Sequence, residues 1–308
     1  SEIVFADEDA SIKVNTNVKY ILSNLAPSCA NKNYTGDFCI EWKNYGDRNK
    51  VNYLVMEDSK EMANTYTVGD VNFELQETYD VSEQQNNDVV LGVYKVVDQE
   101  SYLFLIGQDG GVVVPKDASY QFTSYDPVNN TNTHDFNYVK YTDFSKFYSN
   151  KTTNMSYMLT GIGTLEPMEK LDLSGFETSN VTDMSYMFMG VGEKFKNFNL
   201  DLSMFDTSKV ENMEGMFLEA GFASETINLD LSSFDTSKVK SMKAMFAYFG
   251  HNANEVNLNE LLFPNNPLLE TLYEYCVLRL FVKEFSLLPF CPFEMFNQLQ
   301  TYIPFLSV

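Results

Sequence analysis

Asp143, Asp172, Asp201 and Asp230 stand 29 residues apart, and Asn259 continues the series. Residues at one fixed interval in a repeated sequence lie one above another when the repeats stack, and strands that neighbour each other in a sheet are about 4.8 Å apart. Bare carboxylates at that separation repel. The column therefore needs a cation or basic ligand between its members, or hydrogen-bond donors from the backbone or from Ser and Thr of the adjoining repeat. The second arrangement is the expected one, because a residue repeated in a ladder answers a structural need first. Thr178, Thr207 and Thr236 form a parallel column with the same reading.

Other chemistry has little material. The two histidines, His134 and His251, both fall in Asn-rich loop sequence and read as exposed loop residues. The sequence holds no Walker loop, no G-x-S-x-G, no H-E-x-x-H and no C-x-x-C pair. Among 43 acidic residues no spacing singles out a carboxylate pair of the kind that cleaves glycosides. No catalytic residue, cofactor or metal is expected, and the chain reads as a non-enzyme. Four cysteines lie in two local pairs, Cys29 with Cys39 and Cys276 with Cys291. Local disulfides would staple the two ends of the chain and imply an oxidising compartment; four buried free thiols are the alternative, and three connectivities exist.

Charge narrows the partners. Lys+Arg 21 against Asp+Glu 43 gives a net −22, which repels nucleic-acid backbones and anionic lipid. No uninterrupted apolar run reaches the roughly 18 to 20 residues a membrane helix needs; the apolar C-terminal region is broken by Arg279, Lys283 and Glu284. The opening SEIVFADED lacks a basic n-region and an apolar h-region, as expected of a chain that has lost a signal or never carried one. Glycosylation sequons at Asn33, Asn129, Asn150, Asn154 and Asn180 are read as chance matches in an Asn-rich chain.

What must position the Asp column is a repeated phrase. LDLSGFETSNVTDMSYMF begins at Leu171, LDLSMFDTSKVENMEGMF at Leu200 and LDLSSFDTSKVKSMKAMF at Leu229. Degenerate copies flank them at Asp143–Leu159 and from Val256, and DASYQF from Asp117 echoes DMSYMF out of exact register. A fixed period of this size is the mark of stacked supersecondary units, none of which buries its apolar face alone. Leu200 and Leu202 alternate about Asp201 as in a short strand ending at Phe205. Asp206, Thr207 and Ser208 supply turn and cap chemistry. Val210, Met213, Met216 and Phe217, at i, i+3, i+6 and i+7, predict one face of a short helix. The expected repeat core is Leu171, Leu173, Phe176, Leu200, Leu202, Phe205, Met213, Met216, Phe217, Leu229, Leu231, Phe234, Met242, Met245 and Phe246.

The first part of the chain reads differently. Apolar or alternating runs such as VNYLVM, VVLGVYKVV and YLFLI, separated by QQNND and GQDGG, predict short antiparallel strands and hairpins. A helix is expected in ASIKVNTNVKYILSNL, and Trp42 as a core anchor. The expected organisation is a β-rich domain over 1–115, a repeat solenoid over 116–263 and a cap or interface segment over 264–308, an α+β chain overall.

The phrase LDLSxFDTSxVxxMxxMF resembles the repeat of BspA-like leucine-rich-repeat surface proteins. The resemblance covers roughly Asp117 to Phe263 and is strongest from Leu171 to Phe249; the family's commoner spacing is slightly shorter than 29 residues. It implies a curved solenoid used for adhesion or recognition without catalysis. The expected function is a surface or secreted recognition protein, extracellular in location, that binds a protein or glycan of a host or neighbouring cell. The alternative is a structural component of a virion or surface appendage, self-assembling through the apolar C-terminal segment that carries Leu287, Leu288, Phe290, Phe293, Phe296 and Phe305.

Overall fold

The computed structural model describes residues 48–82, 87–126, 131–132 and 135–258. The N-terminal helix, Trp42, His134, all four cysteines, Asn259 and the 264–308 segment lie outside them.

Alternating and continuous apolar runs in the first part form the expected strands. They are β1 (Val51–Glu57), β2 (Thr65–Val68), β3 (Val71–Asp80), β4 (Val89–Lys95) and β5 (Tyr102–Gln108). β2 to β5 form an antiparallel meander, while β5 pairs in parallel with β1. Both faces of the central strands are covered, which is why β1 and β5 read as near-continuous Val, Leu and Ile rather than as strict alternation. β6 (Val112–Val113), β7 (Tyr125–Asp126) and β8 (Thr131–Asn132) are short, and so are β9 (Tyr141–Asp143), β10 (Phe147–Tyr148) and β11 (Lys170–Asp172). β12 (Asn197–Leu200), β13 (Thr226–Leu229) and β14 (Glu255–Leu258) complete the series.

One seven-stranded sheet runs in the order β11-β9-β1-β5-β4-β3-β2. The first repeat strands, β9 and β11, thus extend the sheet of the N-terminal part, with Tyr53 opposite Tyr141 and Leu171 opposite Thr142. A single buried cluster continues from Val51 through Phe104 to Phe249, so the core crosses position 115 without a break. β12, β13 and β14 form a separate parallel sheet whose register is set by the repeat, with Leu200 opposite Leu229 and Leu229 opposite Leu258.

The expected α+β class and its helix-bearing solenoid are overturned. Among the described residues the only helical element is the 3-10 turn Arg48–Lys50, and the protein is built from strands and turns. The stretch predicted as a helix shows why. Tyr157, Tyr186, Gly215 and Ala244, 29 residues apart, all have positive φ between 55° and 59°, a left-handed conformation that no right-handed helix can contain.

Around these positions the backbone donors divide alternately. Met158, Thr160 and Ile162 donate to carbonyls three residues back in their own coil, at 3.1–3.3 Å. Met155, Tyr157, Leu159 and Gly161 donate instead to Asp183, Ser185, Met187 and Met189 of the next coil, at 2.8–3.1 Å. The same alternation recurs from Met184 and from Met213. A chain of tight turns repeats its inward positions about every three residues, as a helix does, so the apolar spacing alone does not separate the two.

Another expectation shifts in detail. The strand of the third unit is Asn197–Leu200 and ends where the sequence reading begins it, with Leu202 buried after a turn at Asp201. Residues 117–125 stack as the entry unit, Ala118, Tyr120, Phe122 and Ser124 donating to Asn154, Ser156, Met158 and Thr160. A longer connection separates this unit from the next, which explains why DASYQF sits out of register in the sequence.

Inside the stack, phenylalanines form ladders. Phe147 and Phe176 lie 4.6 Å apart, Phe176 and Phe205 6.3 Å; a second ladder links Phe188, Phe217 and Phe246 at 5.5 and 5.6 Å with rings 7° from parallel. Phe176 is fully buried between two ladder partners. Phe176→Ala should therefore cost about 3–5 kcal/mol in urea unfolding, against less than about 1 kcal/mol for Met204→Ala, whose side chain is exposed.

Candidate functional site

The Asp column sits where each coil leaves its strand. Asp143, Asp172, Asp201 and Asp230 each accept, through Oδ1, the backbone N–H two residues on, at Ser145, Ser174, Ser203 and Ser232 respectively, over 2.9–3.1 Å. Each closes an Asx turn. Asp143 and Asp172 share Lys170, whose Nζ lies 3.8 and 2.9 Å from them. Among the described residues no group of His, Cys, Asp or Glu is arranged to hold a metal ion.

Two more columns repeat the device. Asp117, Asn154, Asp183 and Asn212 accept from the N–H of Ser119, Ser156, Ser185 and Glu214 at 2.8–3.1 Å, and Asp206 and Asp235 from Ser208 and Ser237 at 2.9 and 2.8 Å. Hydrogen bonds from the Ser203, Ser208 and Ser237 hydroxyls, and then from their backbone N–H groups, hold the Asp201, Asp206 and Asp235 carboxyls below the usual range.

The buried threonines do different work. Thr178 Oγ1 accepts from Asp206 N at 2.8 Å and donates to Asp206 O at 3.0 Å. Thr207 treats Asp235 alike, at 2.7 and 3.0 Å, and Ser149 does the same for Glu177, at 2.9 Å each way. One hydroxyl thus satisfies both backbone groups of a residue in the next coil. Of the expected repeat core, all members are buried except Leu171 and Phe246, which are half-buried against it. His251 is half-buried rather than exposed, stacked on Phe222 at 4.8 Å.

A further surface carries stacked tyrosines; the sequence suggests a Tyr-rich face but does not single out its residues. Tyr120, Tyr157 and Tyr186 stack with centroids 4.8 and 4.6 Å apart, and Tyr125 joins Tyr157 at 5.4 Å. Tyr157 and Tyr186 hold left-handed backbone positions, and the Tyr186 ring lies so close over Gly215 that any Cβ there would stand 2.3 Å from it. Burial, then the charges of Tyr125, Glu214 and Asp183, pushes the Tyr157 phenol up to about 12. Burial and the hydrogen bond to Glu214 at 2.8 Å raise Tyr186 as well. Tyr157 and Tyr186 therefore stay protonated and neutral near pH 7.

Beside it opens a cavity of about 440 Å³ built from the return loops of four successive units, with Tyr125, Thr160, Gly190, Glu193, Glu219 and Phe222 among its lining. Two further left-handed positions per coil shape these loops. One is the column Gly163, Gly192, Gly221 and Gly250; the other is Gly161, Gly190, Glu219 and Tyr248, all with φ between 56° and 73°. Glycine takes such backbone freely, whereas Glu219 holds it at a cost of about 1 kcal/mol or more. The 29-residue recurrence of glycine at 161 and 190, broken at 219 and 248, was the signal in the sequence that pointed here.

Buried Asn137 braces the floor. In the orientation that satisfies its neighbours, its amide nitrogen lies 3.0–3.2 Å from Asp135 O, Ser124 Oγ and Gly161 O, and its oxygen accepts from Thr164 Oγ1 at 3.0 Å.

Residues 129–260 match a family model described as Mycoplasma protein of unknown function, DUF285. The repeat stack is similar to that family. No curated protein and no solved structure matches the chain.

Two outcomes test the columns. Asp201→Asn keeps the acceptor and should change stability by less than about 0.5 kcal/mol, whereas Asp201→Ala should cost about 1 kcal/mol and Thr207→Val about 1–3 kcal/mol; saturating calcium should leave all melting temperatures unmoved. Because the folded pKa values of Asp201, Asp206 and Asp235 lie below their unfolded value near 3.9, their stabilisation is complete above that pH and is lost as pH falls through the folded values. The triple Asp→Asn variant at these sites should lose less stability between pH 5 and pH 2 than the native chain, measured by urea titration at each pH.

Proposed function

We propose that this chain is a non-enzymatic recognition protein, displayed at a cell surface or secreted, that binds a protein or glycan of a host or neighbouring cell on the face formed by the tyrosine ladder and the adjoining cavity. The observation that carries the reading is the cavity itself: four successive return loops contribute to one concave site whose walls are backbone positions fixed by the stack. Its size falls in the range of small-ligand sites. The lining mixes two aromatic rings, hydroxyls and carboxylates in a few fixed places, which suits selective binding of a polar ligand.

The family match over residues 129–260 and the resemblance of LDLSxFDTSxVxxMxxMF to BspA-like surface repeats support a surface role. A net charge of −22 favours partners that are neutral or basic over nucleic acid and anionic membranes. No helix among the described residues is long and apolar enough to cross a membrane.

Gly190 offers a clean test, since a Cβ there meets nothing closer than 3.8 Å and its backbone is left-handed, a conformation Asn tolerates. The 308-residue chain should bind members of a panel of glycans and purified cell-surface proteins. Gly190→Asn, with its melting temperature checked, should weaken that binding at least about tenfold. Ligands bound equally by both proteins would place recognition elsewhere, and an empty panel would count against the recognition role.

A further inference from the structure

Many donors of the cavity wall are already committed. The backbone N–H groups of Ser124, Thr160, Gly161, Met189, Gly190 and Glu219 all donate within the stack, to Thr160, Tyr157, Met189, Tyr186, Leu218 and Ala247. The lining hydroxyls are committed too. Ser124 Oγ donates to Thr160 O at 3.2 Å, Thr160 Oγ1 to Tyr186 O at 2.6 Å and Thr164 Oγ1 to Asn137 Oδ1 at 3.0 Å. What these groups still offer is oxygen lone pairs. Two carboxylates, Glu193 and Glu219, join them; among the described residues no Lys, Arg or His belongs to the lining, and Lys194 Nζ donates to the carbonyl of the lining residue Leu165 at 3.1 Å.

A site of this kind complements a ligand that brings the donors and a positive charge. It disfavours phosphates, uronates and other anions, because their lone pairs would face lone pairs and like charges. An ammonium group has three donors and no acceptor. The hydroxyl oxygens of Ser124, Thr160 and Thr164, beyond the two carboxylates, leave several further acceptors for a ligand carrying more than one donor. An alkyl ammonium has an apolar stem that uses none of them, whereas an amino sugar presents hydroxyl donors around its ring. Tyr125 and Phe222 add aromatic surface on which a sugar ring or a cation can rest.

We propose that the cavity binds an amino sugar through its free ammonium group, held by Glu193 and Glu219, with the Ser124, Thr160 and Thr164 oxygens accepting from its ring hydroxyls. This deepens the recognition reading and rests on it. The site is one for binding alone, with no bond made or broken.

The test is calorimetric titration of the 308-residue chain with D-glucosamine, N-acetyl-D-glucosamine, D-glucuronate and n-pentylammonium. D-Glucosamine should bind at least tenfold more tightly than the other three. Glu193→Gln/Glu219→Gln should remove at least tenfold of that affinity with the melting temperature retained, and Gly190→Asn should abolish binding. Asp201→Asn/Asp230→Asn, which removes the same charge from residues that do not line the cavity, should leave it unchanged; an equal loss there would reduce the effect to attraction by net charge and overturn the proposal. N-Acetyl-D-glucosamine bound as tightly as D-glucosamine, and lost in Gly190→Asn, would overturn the ammonium assignment while the recognition reading stands. n-Pentylammonium bound as tightly would overturn the sugar. Absence of any binding to all four probes would overturn the amino-sugar site, and the glycan and protein panel would then decide the recognition reading by itself.

Discussion

Everything in the repeat stack depends on where alternate backbone N–H groups go. In each coil one donor in two closes a turn within the coil, and the other reaches a carbonyl of the next. An isolated coil would leave half of these donors without protein partners, and buried backbone groups left so cost about 1–3 kcal/mol each. The coils are therefore stable as a set. The threonine column serves the same constraint: where the backbone turns away from its neighbour, Thr178 and Thr207 each supply an acceptor and a donor in place of a strand partner.

That constraint fixes the residue types. Tight turns that alternate their donors need left-handed backbone at regular places, and the sequence answers with glycine throughout one column, with glycine in the first two coils of a second, and with Asx turns before and aromatic stacking over a third. Tyr157 and Tyr186 hold φ values near 57°, which costs each about 1 kcal/mol or more relative to glycine. Rings stacked 4.6 Å apart return a comparable amount. The ladder and the strained backbone thus offset each other, and the ladder stops at Gly215, which lets the last ring lie flat on the main chain.

Much of this was legible in the sequence, and the part that was not has a physical cause. The 29-residue period, the buried Leu, Phe and Met positions and the parallel columns of Asp and Thr can be read directly, because stacking turns equal spacing into equal height. The helix from Val210 to Phe217 could not be told from a chain of turns, since both return inward about every three residues. Gly215 inside that stretch was the discriminating letter. Read together with Tyr157, Tyr186 and Ala244 at the same interval, it marks a position that tolerates glycine and aromatic residues but need not be helical. The continuation of the N-terminal sheet into β9 and β11 was hidden for a different reason. Three-residue strands such as Tyr141–Asp143 carry too little pattern to announce their partners.

The cavity was hidden because its chemistry is defined by what its groups have already done. Ser124, Thr160 and Thr164 appear in the sequence as ordinary hydroxyl residues, able to donate or accept. Only the fold shows that their protons are turned inward, onto Thr160 O, Tyr186 O and Asn137 Oδ1, so that lone pairs are left for the cavity. The demand that makes the stack, that each coil satisfy its neighbour, consumes donors wherever coils meet, and carbonyl and hydroxyl oxygens have lone pairs to spare while N–H groups have a single proton each. A concave site cut across several coils of such a stack is rich in acceptors by construction. Side chains that replace glycine at the left-handed positions then add their chemistry to its lining, as Glu219 does where the two preceding coils carry Gly161 and Gly190.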